Sequence, residues 1–156
     1  MSDSASIHPL TRPLKVSDLE AIAAIHWEAA RVAYAYRGWR YSLAAVGDWY
    51  ADKFPEWDWG QIALASGPAD AGLPIGFVAS IGPFLDQLFV LPAYQRAGIR
   101  LRLLTAMLAR GLRPVRLHVL QGNAPARAFY DRHGFVLERS WWDSDEDETV
   151  MLYRQD

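Results

Sequence analysis

Apolar positions change period several times along the chain, and each change marks an element. LTRPLK (residues 10–15) reads as a short strand. SDLEAIAAIHWEAARVAY (17–34) follows the helical period, with Leu19, Ile22, Ala23 and His26 on one stripe. Ser17 stands where a helix cap belongs, and Glu20 three residues on completes a capping box. YSLAAVGDWYADKF (41–54) predicts a second helix, loosened by Gly47 and ended by Pro55. QIALAS (61–66) and PIGFVASI (74–81) read as two strands of a hairpin, because GPADAGL between them has the Gly, Pro and Asp of a connection.

FLDQLFVL (84–91) predicts a central strand, and RAGIRLRLLTAMLAR (96–110) the helix after it. Ile99, Leu103, Leu104 and Met107 share one stripe of that helix, and Gly111 ends it. VRLHVL (115–120) alternates as a strand. NAPARAFYDRH (123–133) is a short helix with Asn123 as its cap, Pro125 in the first turn and Gly134 closing it. FVLERSWW and ETVMLYR finish the chain as strands across an acidic turn. Strands mixed with helices on both faces predict a three-layer α/β domain with a mixed sheet, its parallel neighbours around the arginine-bearing helix.

With 156 residues, 51% apolar and 22% charged, the chain has the size and balance of one folded domain spanning 1–156, with residues 1–6 a flexible tail. It contains no cysteine, which excludes disulfides, thiolate nucleophiles and cysteine-bound zinc. No stretch approaches the ~20 apolar residues of a membrane span, and the amino terminus lacks a basic region followed by an apolar run. A cytoplasmic protein with no membrane partner is expected. The net charge of −2 says little, but its distribution says more. From Gln87 to Tyr130 there is no Asp or Glu, whereas Arg96, Arg100, Arg102, Arg110, Arg113, Arg116 and Arg127 all fall there. The acids collect in GDWYADKFPEWDW and WWDSDEDE. Two readings stand: an anionic ligand on one surface with a cationic one on another, or simply solvated faces.

The start of a helix has unpartnered N–H groups and a positive dipole, so the turn before Ile99 suits phosphate oxygens, with Gly98 admitting close approach. The three-glycine dinucleotide fingerprint and the nucleotide-triphosphate loop are both absent. LFVLPAYQRAGIR resembles the pyrophosphate-binding motif of the Gcn5-related N-acetyltransferases (GNAT), in which Gln or Arg, two free positions, Gly, one free position and then Gly or Ala cradle coenzyme A. Gln95 and Gly98 match, while the last small residue is Arg100. LHVLQGNAPARAFYDRHGF resembles the family's second conserved region at Asn123, Ala126, Phe129, Tyr130, Gly134 and Phe135. The order of elements is also similar, so the resemblance covers nearly the whole chain and implies a three-layer GNAT-like fold, a mixed sheet of about seven strands flanked by about four helices.

The resemblance implies an acetyl-CoA-dependent N-acetyltransferase acting by direct attack in a ternary complex, with no metal. Its acceptor would be a primary amine of a small molecule, a peptide or a protein amino terminus. The pantetheine arm would pair with backbone of Leu88, Phe89 and Val90, and the pyrophosphate with the N–H groups of Gln95, Arg96, Ala97, Gly98, Ile99 and Arg100. Phe129 and Asn123 would border the coenzyme, Asn123 serving equally well as a helix cap. Tyr130 would donate a hydrogen bond to the departing thiolate, a phenol of ~10 facing a thiol of ~8.5. An acceptor ammonium must first lose a proton, and Asp86 is the candidate base, expected on the same strand face as Leu88. His26 could line the acceptor pocket or simply pack; His118 and His133 are weaker candidates. Tyr34, Tyr36, Trp39, Tyr41, Trp49, Tyr50, Trp57 and Trp59 fall where the family builds its acceptor side, and they suit a helix-packing core as well. Two other readings remain: a non-catalytic coenzyme A sensor, motivated by Arg100, and a nucleic-acid binder using the arginine helix, against which the acidic turn argues. The chain is expected as a monomer or homodimer without a nucleic-acid partner.

Overall fold

The computed structural model describes residues 10–156; the tail expected at 1–6 lies outside them. In chain order the elements are β1 (Leu10–Pro13), α1 (Leu19–Ala33), α2 (Leu43–Lys53), β2 (Trp59–Leu64), β3 (Pro74–Ile81), β4 (Phe84–Val90), α3 (Ile99–Leu108), β5 (Val115–Leu120), α4 (Ala124–Arg132), β6 (Val136–Asp143) and β7 (Glu148–Gln155). Seven strands form one sheet in the order β1-β2-β3-β4-β5-β7-β6, antiparallel except where β4 meets β5. The mixed three-layer architecture expected from the sequence is the one observed.

Each helix owes its start to a local device. Before α1 the Ser17 side chain makes no cap; instead the carboxylate of Asp18 closes the turn Val16–Asp18 that leads into the helix, accepting from the Lys15 N–H at 2.8 Å and from both Arg12 guanidinium nitrogens at 2.8 Å. A charge-assisted pair outcompetes a serine hydroxyl. Those hydrogen bonds from Arg12 hold the Asp18 carboxyl below its ordinary value against the opposing effect of burial. Ser42 caps α2 by accepting from the Ala45 N–H at 3.1 Å, and Asn123 caps α4 by accepting from the Ala126 N–H at 3.3 Å. α3 instead follows Gly98, whose φ of 74° lies in the left-handed region that favours glycine.

Two cores sandwich the sheet. On one face Ile22, Ala23 and Ile25 of α1 and Val46 and Tyr50 of α2 pack on Ile62 and Phe77. On the other, the stripe Ile99, Leu103, Leu104 and Met107 of α3, with Tyr130 of α4, packs on Val78, Leu85, Val90, Leu117 and Val119. Burying each such Leu or Ile contributes about 1.5–3 kcal/mol, so the α3 stripe anchors the turn before it firmly.

The sheet opens between β4 and β5. β4 follows β3 from Phe84 to Val90 and β5 follows β7 along its whole length, yet β4 and β5 pair only at Phe84 and Arg116. The register of β3 with β4 slips between Ala79, opposite Gln87, and Ser80, opposite Leu85, which leaves Asp86 bulged. A bulge kinks its strand and increases twist, and this one lies just past the single β4–β5 pair, where the strands part. It also overturns the expectation that Asp86 shares a face with Leu88. Leu85, Leu88 and Val90 pack toward α3, whereas Asp86 and Gln87 bond to Trp57 and Tyr50 on the α1–α2 side.

Candidate active site

The gap between β4 and β5 leads into a cavity of about 670 Å³. Asp86, Leu88 and Phe89 of β4 form one wall, and Leu117, Val119, Asn123 and Tyr130 the facing one. His26 and Trp49 line it from α1 and α2, the connection between those helices covers it with Tyr34, Trp39 and Tyr41, and Asp143 and Glu146 stand at the β6–β7 end. Sequence-predicted residues from four separate segments thus meet in one place. Of the eight aromatics considered for the acceptor side, Tyr34, Trp39, Tyr41 and Trp49 line the cavity. Tyr50 is fully buried beneath it, Trp57 holds Asp86, Tyr36 pairs with Glu148, and Trp59 lies under Arg110 on the opposite core.

Tyr130 is 7% exposed and wedged between Phe129 and Phe135, with ring centroids 5.2 and 5.3 Å away. Burial pushes its phenol well above 10, and the nearby positive charge of Arg100 only partly offsets this. The Arg100 guanidinium lies over the Phe129 ring, 5.3 Å from its centroid, so the long side chain stacks to one side of the helix start. Across the cavity the Asp86 carboxylate accepts from Trp57 Nε1 at 2.8 Å and stands 3.6 Å from Lys53 Nζ, with its side chain 11% exposed. His26 Nδ1 lies 2.5 Å from the Tyr50 hydroxyl, and its ring is 4.3 Å from that of Phe89. Burial lowers the His26 imidazole to about 4, so it is neutral at pH 7. His118 lines the cavity between Phe84 and Trp141; His133 packs on Phe129 outside the lining.

From the end of β4 at Val90 the chain turns through residues 91–98 to the start of α3, outside the cavity lining. Gln95 Nε2 donates to the Val90 carbonyl at 3.2 Å and secures the turn. The Gln95 and Ala97 N–H groups are used within that turn, donating to Pro92 and Tyr94 carbonyls at 3.4 and 3.2 Å. Among the described residues no backbone carbonyl accepts from the N–H groups of Arg96, Gly98, Ile99 or Arg100. These four donors and the unpaired edge of β4 beyond Phe84 suit the phosphates and the amide-bearing arm of coenzyme A. Much of the arginine-rich stretch is otherwise engaged. Arg110 donates to Ser80 and Gly82, Arg113 to the Leu108 and Leu112 carbonyls, Arg116 to Glu138 and Arg127 to the Gln121 carbonyl. Among the described residues no cluster of three His, Asp or Glu could hold a metal, and no helix is long and apolar enough to cross a membrane.

One part of the site escaped sequence reasoning. Glu148 accepts from the Tyr36 hydroxyl at 2.7 and 2.8 Å, from Arg37 at 3.1 Å and from the Gly122 N–H at 2.6 Å. Arg37 also donates to the Glu146 carbonyl at 2.5 Å. The connection over residues 34–42 is thereby strapped to the β6–β7 turn across the cavity. Tyr36 and Arg37 stand more than a hundred residues from Glu148 and leave no local motif; the sequence marked only Tyr36 as an acceptor-side aromatic and the acidic run around Glu148, not their pairing.

Comparison with known proteins agrees with this geometry. The profile of the Acetyltransferase (GNAT) family matches residues 33–135, more than half of the chain. The chain is 28% identical over 148 residues to the peptidyl-lysine N-acetyltransferase YiaC of Escherichia coli K12, covering 92% of this chain and 94% of that protein. Its fold is similar to the solution structure of apo YjaB from Escherichia coli, with a TM-score of 0.74 at 20% identity over 93% of this chain and 95% of that one. It also resembles the PaiA N-acetyltransferase of Thermoplasma acidophilum, solved with coenzyme A, with a TM-score of 0.64 at 23% identity over 92% and 96% of the two chains. The strand gap, the helix start beside it and the matched profile place the chain in the acetyltransferase (GNAT) family.

Proposed function

We propose that this acetyltransferase moves the acetyl group of acetyl-CoA directly onto a primary amine held in the 670 Å³ cavity, with both substrates bound together. One observation carries the reading: the β4–β5 gap joins a cavity that has Tyr130 on one wall and Asp86 on the other. The thioester supplies an acyl group already activated for attack. The N–H groups of Arg96, Gly98, Ile99 and Arg100 bind the pyrophosphate, and the free edge of Leu88, Phe89 and Val90 aligns the pantetheine arm, with Phe129 and Asn123 alongside. Asp86, directly or through a water, takes the ammonium proton. The neutral amine nitrogen then bonds to the acetyl carbon, the carbon–sulfur bond breaks with its electron pair going to the coenzyme thiolate, and the amine's second proton passes to solvent water as the amide forms. Tyr130, kept protonated by burial, donates a hydrogen bond to the departing sulfur. With its phenol raised that far, full transfer to a thiolate of ~8.5 is uphill, so Tyr130 stabilises the charge without giving up its proton.

The enzyme acts as a monomer or homodimer in this reading. Use of acetyl-CoA and the lack of cysteine fit a cytoplasmic enzyme. The sensor alternative rests on Arg100 filling the anion's place, and its stacking on Phe129 works against that. The test is thiol release from acetyl-CoA with a panel of small-molecule and peptide amines, repeated with Tyr130→Phe. At least one amine class is expected to support turnover, and the variant should lose about 10- to 1000-fold in kcat with unchanged coenzyme A affinity. Failure of every amine to release thiol would favour the sensor.

A further inference from the structure

We infer that His26 positions the acceptor for attack: its imidazole Nε2 carries a lone pair that accepts a hydrogen bond from the amine N–H, and Tyr50 and Gln87 hold the ring in that tautomer. The inference rests on the N-acetyl transfer proposed above. His26 Nδ1 lies 2.5 Å from the Tyr50 hydroxyl, which in turn stands 3.4 Å from Gln87 Oε1. An amide oxygen only accepts, and the fully buried Tyr50 phenol, raised well above its ordinary value by that burial, keeps its proton. One arrangement satisfies both bonds: Tyr50 donates to Gln87, Nδ1–H donates to Tyr50, and Nε2 is left bare.

Nε2 is also the open end of the ring. Among the described residues no group bonds to it, and the buried side-chain nitrogens and oxygens that lack a partner are Trp39 Nε1 and Arg127 Nε. Nε2 is not one of these, so it keeps accessible surface, and the cavity is what the ring lines. Two anchors on β4 fix where the ring stands: Tyr50 ties it to Gln87, and its centroid is 4.3 Å from that of the Phe89 ring. Gln87 and Phe89 flank Leu88, the first residue of the strand edge that aligns the thioester arm in the proposed reaction. The imidazole thus overlooks the segment where acetyl group and amine must meet. There the tautomer chooses the partner. The thioester oxygen and sulfur only accept, whereas an amine donates, so a bare Nε2 engages the nucleophile and not the acyl group. Burial keeps the imidazole neutral at pH 7, and the ring adds no positive charge against an entering ammonium. Holding one N–H of the amine sets the direction of the nitrogen lone pair.

The test exchanges the ring for two amides. A glutamine side chain carries its oxygen to about the place of Nε2, an asparagine only to that of Nδ1. With acetyl-CoA and pentylamine or benzylamine, His26→Gln should stay within about 3-fold of wild type in acceptor kcat/KM, whereas His26→Asn should lose about 10-fold, the KM for acetyl-CoA being unchanged in both. Equal effects in the two variants, or a loss confined to His26→Gln, would mean that packing or the bond to Tyr50 alone matters, and overturn the inference. Nitrogen NMR of protein labelled at the histidine ring nitrogens reads the tautomer directly. Wild type should show a protonated Nδ1 and a bare Nε2 whose resonance moves when pentylammonium is added, and Tyr50→Phe should mix the two tautomers. A protonated Nε2, an Nε2 that pentylammonium leaves unmoved, or an unchanged tautomer in Tyr50→Phe overturns the inference whatever the kinetics. If wild type acetylates neither amine, transfer to these amines fails as a separate result, and the NMR outcomes alone decide.

Discussion

Glu148→Ala should loosen the acceptor side of the cavity while leaving the coenzyme side intact. The Glu148 carboxylate, 14% exposed, accepts from Tyr36, Arg37 and Gly122, but the three bonds do not count equally. The Tyr36 residue is half exposed, so its hydroxyl finds water when the carboxylate goes. Arg37 keeps the Glu146 carbonyl at 2.5 Å and the Glu146 carboxylate at 3.6 Å. The net loss is then close to one charge-assisted bond, about 1.5–3 kcal/mol, which shifts a strapped-to-open equilibrium by roughly 10- to 150-fold. Part of that shift is absorbed, because the Trp27–Tyr41 bond still holds the far end of the strap. Acceptor kcat/KM is therefore expected to fall on the order of 10-fold, with the KM for acetyl-CoA unchanged. Hydrogen exchange should show lost protection confined to residues 34–42 and the β6–β7 turn. Gly122→Ala reaches the same strap independently, since a Cβ there would sit 2.2 Å from the Tyr36 ring. Unchanged protection at 34–42 in both variants, or an equal rise in both KM values, would refute the strap as the element that shapes the acceptor site.

Three further outcomes are expected. Asp86→Asn keeps an acceptor for Trp57 Nε1 but removes the base and the pair with Lys53; turnover should fall at neutral pH and recover as pH approaches ~10, where the amine sheds its own proton, and a pH-independent deficit would leave Asp86 only an orienting role. Arg100→Ala should weaken coenzyme A binding by about 1–3 kcal/mol and make it less salt-sensitive in calorimetric titrations at two salt concentrations; tighter binding would mean that the side chain obstructs the site. His26, held at about 4 in the folded state against ~6.5 unfolded, contributes stability that is complete above ~6.5 and declines as pH falls toward 4, by up to about 3 kcal/mol; His26→Gln should flatten that decline in urea unfolding at pH 7 and pH 5.

What the sequence made legible was whatever depends on neighbours in the chain. The stripe Ile99, Leu103, Leu104 and Met107 is buried as its spacing requires, Asn123 caps α4, β5 spans the residues whose alternation marks it, and β3 begins where the Gly, Pro and Asp of the preceding connection end. Ser17 caps nothing because the turn before α1 is closed by the Asp18 carboxylate, which gains its partner Arg12 from β1, a different element. The same reason explains the site. Strand alternation put Asp86 beside Leu88, and it failed because pairing with β3 skips a residue, a property of two strands and not of one. The consequence is chemical: the bulge turns the carboxylate toward Trp57 and Lys53, across the cavity from Tyr130, so that the two candidate catalytic groups flank the space in which the amine must sit. Regular alternation would have sent Asp86 into the apolar layer under α3, where an unpaired carboxylate is costly. The irregularity that defeated the local reading is thus what turns the Asp86 carboxylate out of the apolar layer and into the wall of the cavity, as the proposed reaction requires.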